Sequence, residues 1–308
     1  MPRPKIKWDY LSKKITNKDG TGFGNDYRPW ITLERWNTSN VSIQCTKPLP
    51  PLSRSSHFLS LNEYHLGLAF AWAGAEVREQ FPIWPWDHPH PESGRNIAID
   101  RFLPHAMGTN NICKLIGITP GVYPGTDIKF IWTMDMCLHL PWVKDPLKSS
   151  AMVSVKPTEL VVTDNGISLS RVNEKLEIER NYCEVIGMHY IWGDDAAFPK
   201  PLFGNLDNLR GSAVIPVNHH AHKIIQSFLE KHAHKLQCEP IEFTQLVLQQ
   251  DFQCDLATAC LIQNHFLWHQ IIDANLAETV ILRRKPKIGG RELRGKIRKI
   301  LEGHYGKE

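Results

Sequence analysis

Hydrophobic and polar positions change period several times along the chain, and each change marks an element. Residues 60–74, SLNEYHLGLAFAWAG, put Leu61, Tyr64, Leu68 and Phe70 to Trp72 at the spacing of a packed helix, with Glu63 as its polar exception. FIWTMDMCLHL, residues 130–140, is an apolar run rich in aromatic and branched side chains, broken by Asp135. AMVSVK, residues 151–156, alternates like a second strand, ends on Lys156 and is stopped by Pro157. RVNEKLEIERNYCEVIG then spaces Leu176, Ile178, Tyr182 and Val185 for an amphipathic helix, with Glu174, Glu177 and Glu179 among its charges. MHYIW, residues 188–192, reads as a further core strand. A connector containing Pro and Gly, DDAAFPKPLFGNLDNLRGSAVIP, follows and predicts a domain boundary near residue 205.

Beyond that boundary the period is helical. Asn218 is positioned to cap a helix running to about Leu236, IEFTQLVLQQ supplies a second, and Asp255 caps a third, LATACLIQNHFLWHQ, that buries Leu256, Cys260 and Leu267. IIDANLAETVILRR then reads as a hairpin. Helix, turn, helix, hairpin is the order of a winged helix, whose third helix either enters a major groove, where Gln263, Asn264 and His265 would face DNA, or docks a protein. The last segment sets Leu293, Ile297, Ile300 and Leu301 on one helical face, while Arg291, Arg294, Lys296, Arg298 and Lys299 crowd the rest. Such a basic amphipathic helix suits nucleic acid or a partner, which makes Arg294, Arg298 and Lys299 candidate DNA contacts.

With 308 residues, of which 42% are hydrophobic, the chain has apolar material for two cores. It carries no long uncharged apolar run and no apolar centre near its beginning, so a cytoplasmic protein is expected, with no membrane partner. Seven scattered cysteines without a C-x-x-C pair point to neither a disulfide framework nor a zinc ribbon. Net charge is +4, but it is unevenly spread. Residues 1–20 hold six Lys or Arg against two Asp, and residues 281–308 hold ten against three acids, which leaves the middle acidic. Basic ends flanking an acidic middle fit termini that touch phosphates and a core that gathers carboxylates around a cation.

The candidate chemistry lies in Glu63, Asp135 and Lys156. Phosphodiester hydrolysis uses carboxylates to hold a divalent cation and a cationic side chain to steady the attacking water or the developing charge. Singly, each residue also fits a capped or partly exposed side chain; jointly, an Asp and a Lys set in apolar strands demand partners. Two neighbouring strands presenting Asp and Lys beside a helical Glu match a restriction-endonuclease-like core. Asp127 competes for the strand role, but it follows the turn-like YPGT whereas Asp135 stands inside the apolar run. The histidines of NHHAH and KHAHK lack the fixed Cys or acidic partner of a metal set and read as solvated. FPIWPWDHPHPESG reads as a stiff surface loop.

At these same residues the chain resembles the TnsA family, the endonuclease subunits of heteromeric bacterial transposases. The resemblance is carried by GTGFGNDYRPWITLERW (20–36), the Glu63 helix, VREQFPI (77–83), RNIAID (95–100), WTMD (132–135), SVKP (154–157) and NEKLEIERNYCEVIGMHYIW (173–192), in family order. It implies that Glu63 and Asp135 bind metal, with the Val155 carbonyl as a further ligand, and that Lys156 is the catalytic lysine. Ser154 departs from the longer amide or carboxylate usual two residues before that lysine, so water or Glu159 would complete the coordination. From its place in the helix pattern, Glu179 reads as a solvated or ion-paired residue, with orientation of a site group as its alternative role. The implied fold is α/β, a restriction-endonuclease-like domain over 1–205 with a mixed sheet flanked by helices. Beyond the residues that carry the resemblance, element order and charge predict a mostly helical winged-helix domain over 206–282 and a basic tail over 283–308 that serve recruitment and DNA retention. The implied activity is Mg²⁺-dependent hydrolysis, with Mn²⁺ substituting, of the 5′ strand at double-stranded transposon ends. An RNase H-like transposase and an AAA+ ATPase regulator would be its partners. The alternatives are a catalytically impaired, DNA-binding assembly subunit of the same fold and a stand-alone restriction or repair endonuclease.

Overall fold

A computed structural model describes residues 7–34, 42–158 and 170–303. Helix α1 (Trp8–Thr16) buries Leu11 against Trp30, Tyr123, Ile128 and Ile131. Strands β1 (Cys45–Pro48) and β2 (Ser55–Phe58) form an antiparallel ribbon. Helix α2 (Leu61–Ala73) starts at Ser60, whose hydroxyl accepts from the Glu63 N–H, and ends at Gly74, whose φ of 103° is the left-handed closing turn that glycine permits.

The central sheet then forms from β3 (Glu76–Ile83), β4 (Trp132–His139), β5 (Ser150–Val155) and β6 (His189–Gly193). Short helices α3 (Ile97–Asp100) and α4 (Thr109–Leu115) lie between β3 and β4, and the long α5 (Ser170–Ile186) between β5 and β6. Strand order is β3-β4-β5-β6; the first two pairings are antiparallel and β5 pairs β6 in parallel, with α5 in the connection between them. The fold is therefore α/β, a mixed four-stranded sheet flanked by helices, an architecture compatible with a nuclease. Alternation along β5 sends Ala151, Val153 and Val155 into the core shared with α2, and Met152 into the core shared with α5. With both faces covered, β4 and β5 show an almost unbroken apolar run, and that is why polar Asp135 and Ser154 stand out within them.

The chain continues through α6 (Lys200–Leu209), α7 (Ala221–His232), α8 (Phe243–Gln250), α9 (Leu256–Trp268) and α10 (Gly290–Leu301). Four expectations change here. The connector is largely α6, and residue 205 lies inside that helix: Pro201 near its start fits the first turn, where no N–H is needed. The helix expected from Asn218 begins at Ala221 without a side-chain cap, whereas Asp255 does cap α9 through the Thr258 N–H. No hairpin forms over 271–284; the Leu282 and Arg284 carbonyls accept instead from Glu242 and Ile241 at the start of α8, so the winged-helix reading loses its wing. Finally, the apolar core is continuous across the expected boundary, joining α2 and β4 to Leu206, Phe228, Phe266 and Leu301. Trp72 of α2 donates to the Trp268 carbonyl at 2.8 Å. No helix of the described residues is long and apolar enough to cross a membrane.

Candidate nuclease site

Five elements, α2, β3, β4, β5 and α5, converge where β4 and β5 meet the start of α2. Glu63 sits in the first turn of α2 and is buried, 6% exposed. Its Oε2 accepts from the Leu59 N–H at 3.0 Å, its Oε1 from the Ser60 hydroxyl at 3.2 Å, and the Ser60 oxygen in turn accepts from the Glu63 N–H at 3.2 Å. This is a variant of the reciprocal Ser-x-x-Glu cap, and it fixes the carboxylate rigidly at the helix start.

Asp135, on β4, is also buried. Its Oδ2 accepts from the Val155 N–H at 2.6 Å and from Lys156 Nζ at 2.9 Å, and Lys156 Nζ donates to the Val155 carbonyl at 2.8 Å. The strand end thus clamps acid and lysine together, with the Val155 carbonyl engaged by the lysine. Ser154 faces α5, where its hydroxyl donates to Glu179 Oε2; Tyr190 donates to the same oxygen at 3.3 Å. Lys175, one turn before Glu179, pairs with Glu179 Oε1 at 3.1 Å. Lys156 and Lys175 therefore set two positive charges among three buried acids.

The charges sort unequally among these groups. Burial raises the Glu63 carboxyl to about 7, with the nearby Asp135 charge adding to the rise. Burial also acts against Asp135, but Lys175, Lys156 and the hydrogen bonds from Lys156 and Val155 outweigh it and hold Asp135 below its ordinary range. Lys175 is raised despite burial, because Glu179, Asp135 and Glu63 all favour its charge. Asp135 keeps the negative charge and Glu63 is the acid that takes up a proton when nothing else compensates it.

Gln80 of β3 completes the cluster. Its φ is 50°, left-handed within a strand, at a cost of about 1–2 kcal/mol for a residue with a Cβ. Its Nε2 donates to Glu63 Oε2 at 2.9 Å, and its buried Oε1 has no partner among the described residues. Among the described residues no three His, Cys, Asp or Glu side chains converge as a metal set. The donors present are nonetheless all oxygen, two carboxylates with an unpartnered amide oxygen beside them, and they fit a hard divalent cation whose shell is completed by neutral oxygens.

The chain is similar to the transposon Tn7 transposition protein TnsA of Escherichia coli. The two are 28% identical over 174 residues, which are 56% of this chain and 51% of that protein. The chain thus spans about half the length of the curated relative it matches. No family model matches it.

Of the residues expected from sequence, Glu63, Asp135, Lys156, Val155, Ser154 and Glu179 come together, while Glu159 lies outside the described residues. Asp127 is exposed beside α1, away from this cluster. Gln263, expected to face DNA, is buried at 2% exposure, because α9 is apolar on nearly every side and packs inward; Asn264 is half-buried and His265 bonds the Ser212 carbonyl at 2.9 Å. Arg298 donates to the Ala73 carbonyl at 2.7 Å and lies 4.9 Å from the Trp142 ring, and Arg294 lies over Trp72 at 5.8 Å. These two arginines hold α10 on the end of α2, and Lys299 is exposed. Sequence pattern alone singles out neither Gln80 nor Lys175. The amide is concealed in the buried VREQFPI run, and Lys175 reads as half of an ordinary i,i+4 surface pair.

Proposed function

We propose that this protein is the metal-dependent DNA endonuclease subunit of a heteromeric transposase, hydrolysing the 5′ strand at transposon ends within a restriction-endonuclease-like domain. The observation that carries this reading is the Asp135–Lys156 clamp at the end of β5, with Oδ2 to Nζ at 2.9 Å, beside the rigidly capped Glu63. The similarity to a Tn7 transposition protein supports the transposon setting, with an RNase H-like transposase and an AAA+ ATPase regulator as partners and double-stranded DNA ends as substrate.

Glu63 and Asp135 would hold Mg²⁺, or Mn²⁺ in its place. When bound, the cation supplies Lewis-acid stabilisation of the phosphoryl charge. Glu63 brings a carboxylate whose proton must leave before it can act as a ligand, so binding is favoured as pH rises. Lys156, held by Asp135 and the Val155 carbonyl, keeps its ammonium at the strand end, where it orients the attacking water and offsets charge on the phosphate oxygens. The water oxygen forms the new bond to phosphorus as the bridging P–O bond breaks in line; the water proton passes to solvent, and the leaving oxygen takes up a proton from solvent to become a hydroxyl. Glu179, bonded by Ser154 and paired with Lys175, keeps that lysine beside Asp135.

The test is cleavage of end-bearing DNA by the full chain with its transposase and ATPase partners. Mg²⁺-dependent 5′-strand cleavage lost in both Asp135→Asn and Lys156→Met is expected; cleavage by Asp135→Asn at the wild-type rate would refute the site.

A further inference from the structure

Gln80 carries features that its place in a strand does not require. The register pairs Glu79 with Met136 and Phe81 with Met134, so Gln80 stands opposite Asp135, the one position in β3 where the ladder is interrupted. Its left-handed φ of 50° is enforced from both sides. The Trp30 N–H donates to its carbonyl at 3.1 Å, and the Tyr27 hydroxyl to the carbonyl of Glu79 at 2.9 Å. Arg54 and the His57 N–H hold the Glu79 carboxylate at 2.7 and 3.1 Å. A strained backbone that its surroundings over-determine marks a side chain aimed for a purpose.

That side chain is fully buried. Its amide nitrogen donates to Glu63 Oε2 at 2.9 Å, while its amide oxygen accepts from none of the described residues. A buried acceptor left alone is costly, and such atoms are explained by a group that arrives later, an ion or a water. Beside the carboxylates of Glu63 and Asp135, a carbonyl-type amide oxygen is a neutral ligand that hard divalent cations accept.

We propose that Gln80 is a ligand of the divalent cation: its amide nitrogen fixes Glu63, and its amide oxygen supplies the neutral donor that completes the set formed with Asp135. The assignment rests on the metal-dependent reading above and extends it to a residue on a third element. It accounts together for the strain, the burial and the unmatched oxygen.

The test is Mn²⁺ binding to the full chain by titration calorimetry, independent of cleavage. Gln80→Met removes the donor oxygen at similar size and is expected to weaken Mn²⁺ by about tenfold or more; Gln80→Glu replaces it with a charged oxygen and is expected to tighten Mn²⁺ by a similar factor. A residue that only supports the fold would not move the affinity in opposite directions for the two variants. Asp135→Asn separates the two ideas. If it binds Mn²⁺ as wild type does, or wild type binds none, the metal-site reading falls and this assignment with it. If Asp135→Asn binds weakly while both Gln80 variants stay within about twofold of wild type, or shift the same way, the Gln80 assignment alone is overturned. Should Gln80→Met fail to fold, Gln80→Glu decides alone: tighter Mn²⁺ binding by about tenfold supports the assignment, and an affinity within about twofold of wild type, or weaker, overturns it.

Discussion

Replacing Glu63 with glutamine should stabilise the metal-free protein, and increasingly so as pH rises. The carboxyl goes from an ordinary 4.5 to about 7 in the folded chain, mainly through burial and then through Asp135. A carboxyl raised on folding favours the folded state only while protonated, so its ionisation costs stability progressively above its unfolded value and fully above its folded one. The cost is about 1 kcal/mol at pH 5 and about 3 kcal/mol at pH 8, on the scale of 1.36 kcal/mol per pH unit. The substituted amide keeps an oxygen for the Leu59 N–H and has no proton to lose. In EDTA, thermal denaturation across pH 5 to 8 should show Glu63→Gln gaining on wild type by roughly 5 °C at the upper end, at about 2 °C per kcal/mol for a chain of this size. Saturating Mn²⁺ should reverse the order, because it stabilises only the protein that retains the ligand. A variant less stable than wild type by the same amount at every pH would refute the reasoning, showing Glu63 to be an ionised helix cap and nothing more.

Three further outcomes follow from the same packing. A fragment ending at residue 205 should be insoluble or molten by gel filtration and circular dichroism, because it strips Leu206, Phe228, Phe266 and Leu301 from the core of α2, at about 1.5–3 kcal/mol each against a total stability of about 5–15 kcal/mol; a soluble, cooperatively folding fragment would contradict the shared core. Arg298→Met should cost about 1–2 kcal/mol in denaturant unfolding and leave the salt dependence of DNA binding unchanged, whereas a fall of about 0.9 in that slope would make Arg298 a phosphate contact. Ser154→Ala should lower cleavage by no more than about tenfold, since Lys175 and Tyr190 still hold Glu179; a loss as deep as that of Asp135→Asn would make Ser154 part of the chemistry.

Much of this arrangement was legible because β4 and β5, buried on both faces, are apolar at nearly every position. Asp135 and Lys156 announced themselves against FIWTMDMCLHL and AMVSVK, and the period of 171–187 gave α5. Gln80 did not, because nothing in the letters VREQFPI reveals a left-handed backbone, which tertiary contacts from Trp30, Tyr27 and Arg54 impose. Lys175 was hidden by its spacing to Glu179, identical to that of a solvated pair. In the C-terminal part, Pro and Gly suggested a linker where Pro201 begins a helix, and the branched residues of 271–284 suggested strands where their carbonyls pair with the start of α8 instead. Basic residues around an apolar stripe read as a DNA-facing helix, yet Arg294 and Arg298 reach over Trp72 and Trp142, a use of arginine that charge counting does not distinguish.

The central claim is that Asp135, clamped to Lys156 beside Glu63, is the centre of a metal-dependent nuclease. It is tested most directly by strand cleavage of transposon-end DNA, with the transposase and ATPase partners present, comparing wild type and Asp135→Asn in Mg²⁺ and in EDTA. Cleavage by wild type in Mg²⁺ alone, absent from Asp135→Asn under both conditions although its circular dichroism matches wild type, is the predicted result. Equal cleavage by the two proteins in Mg²⁺ would contradict the account.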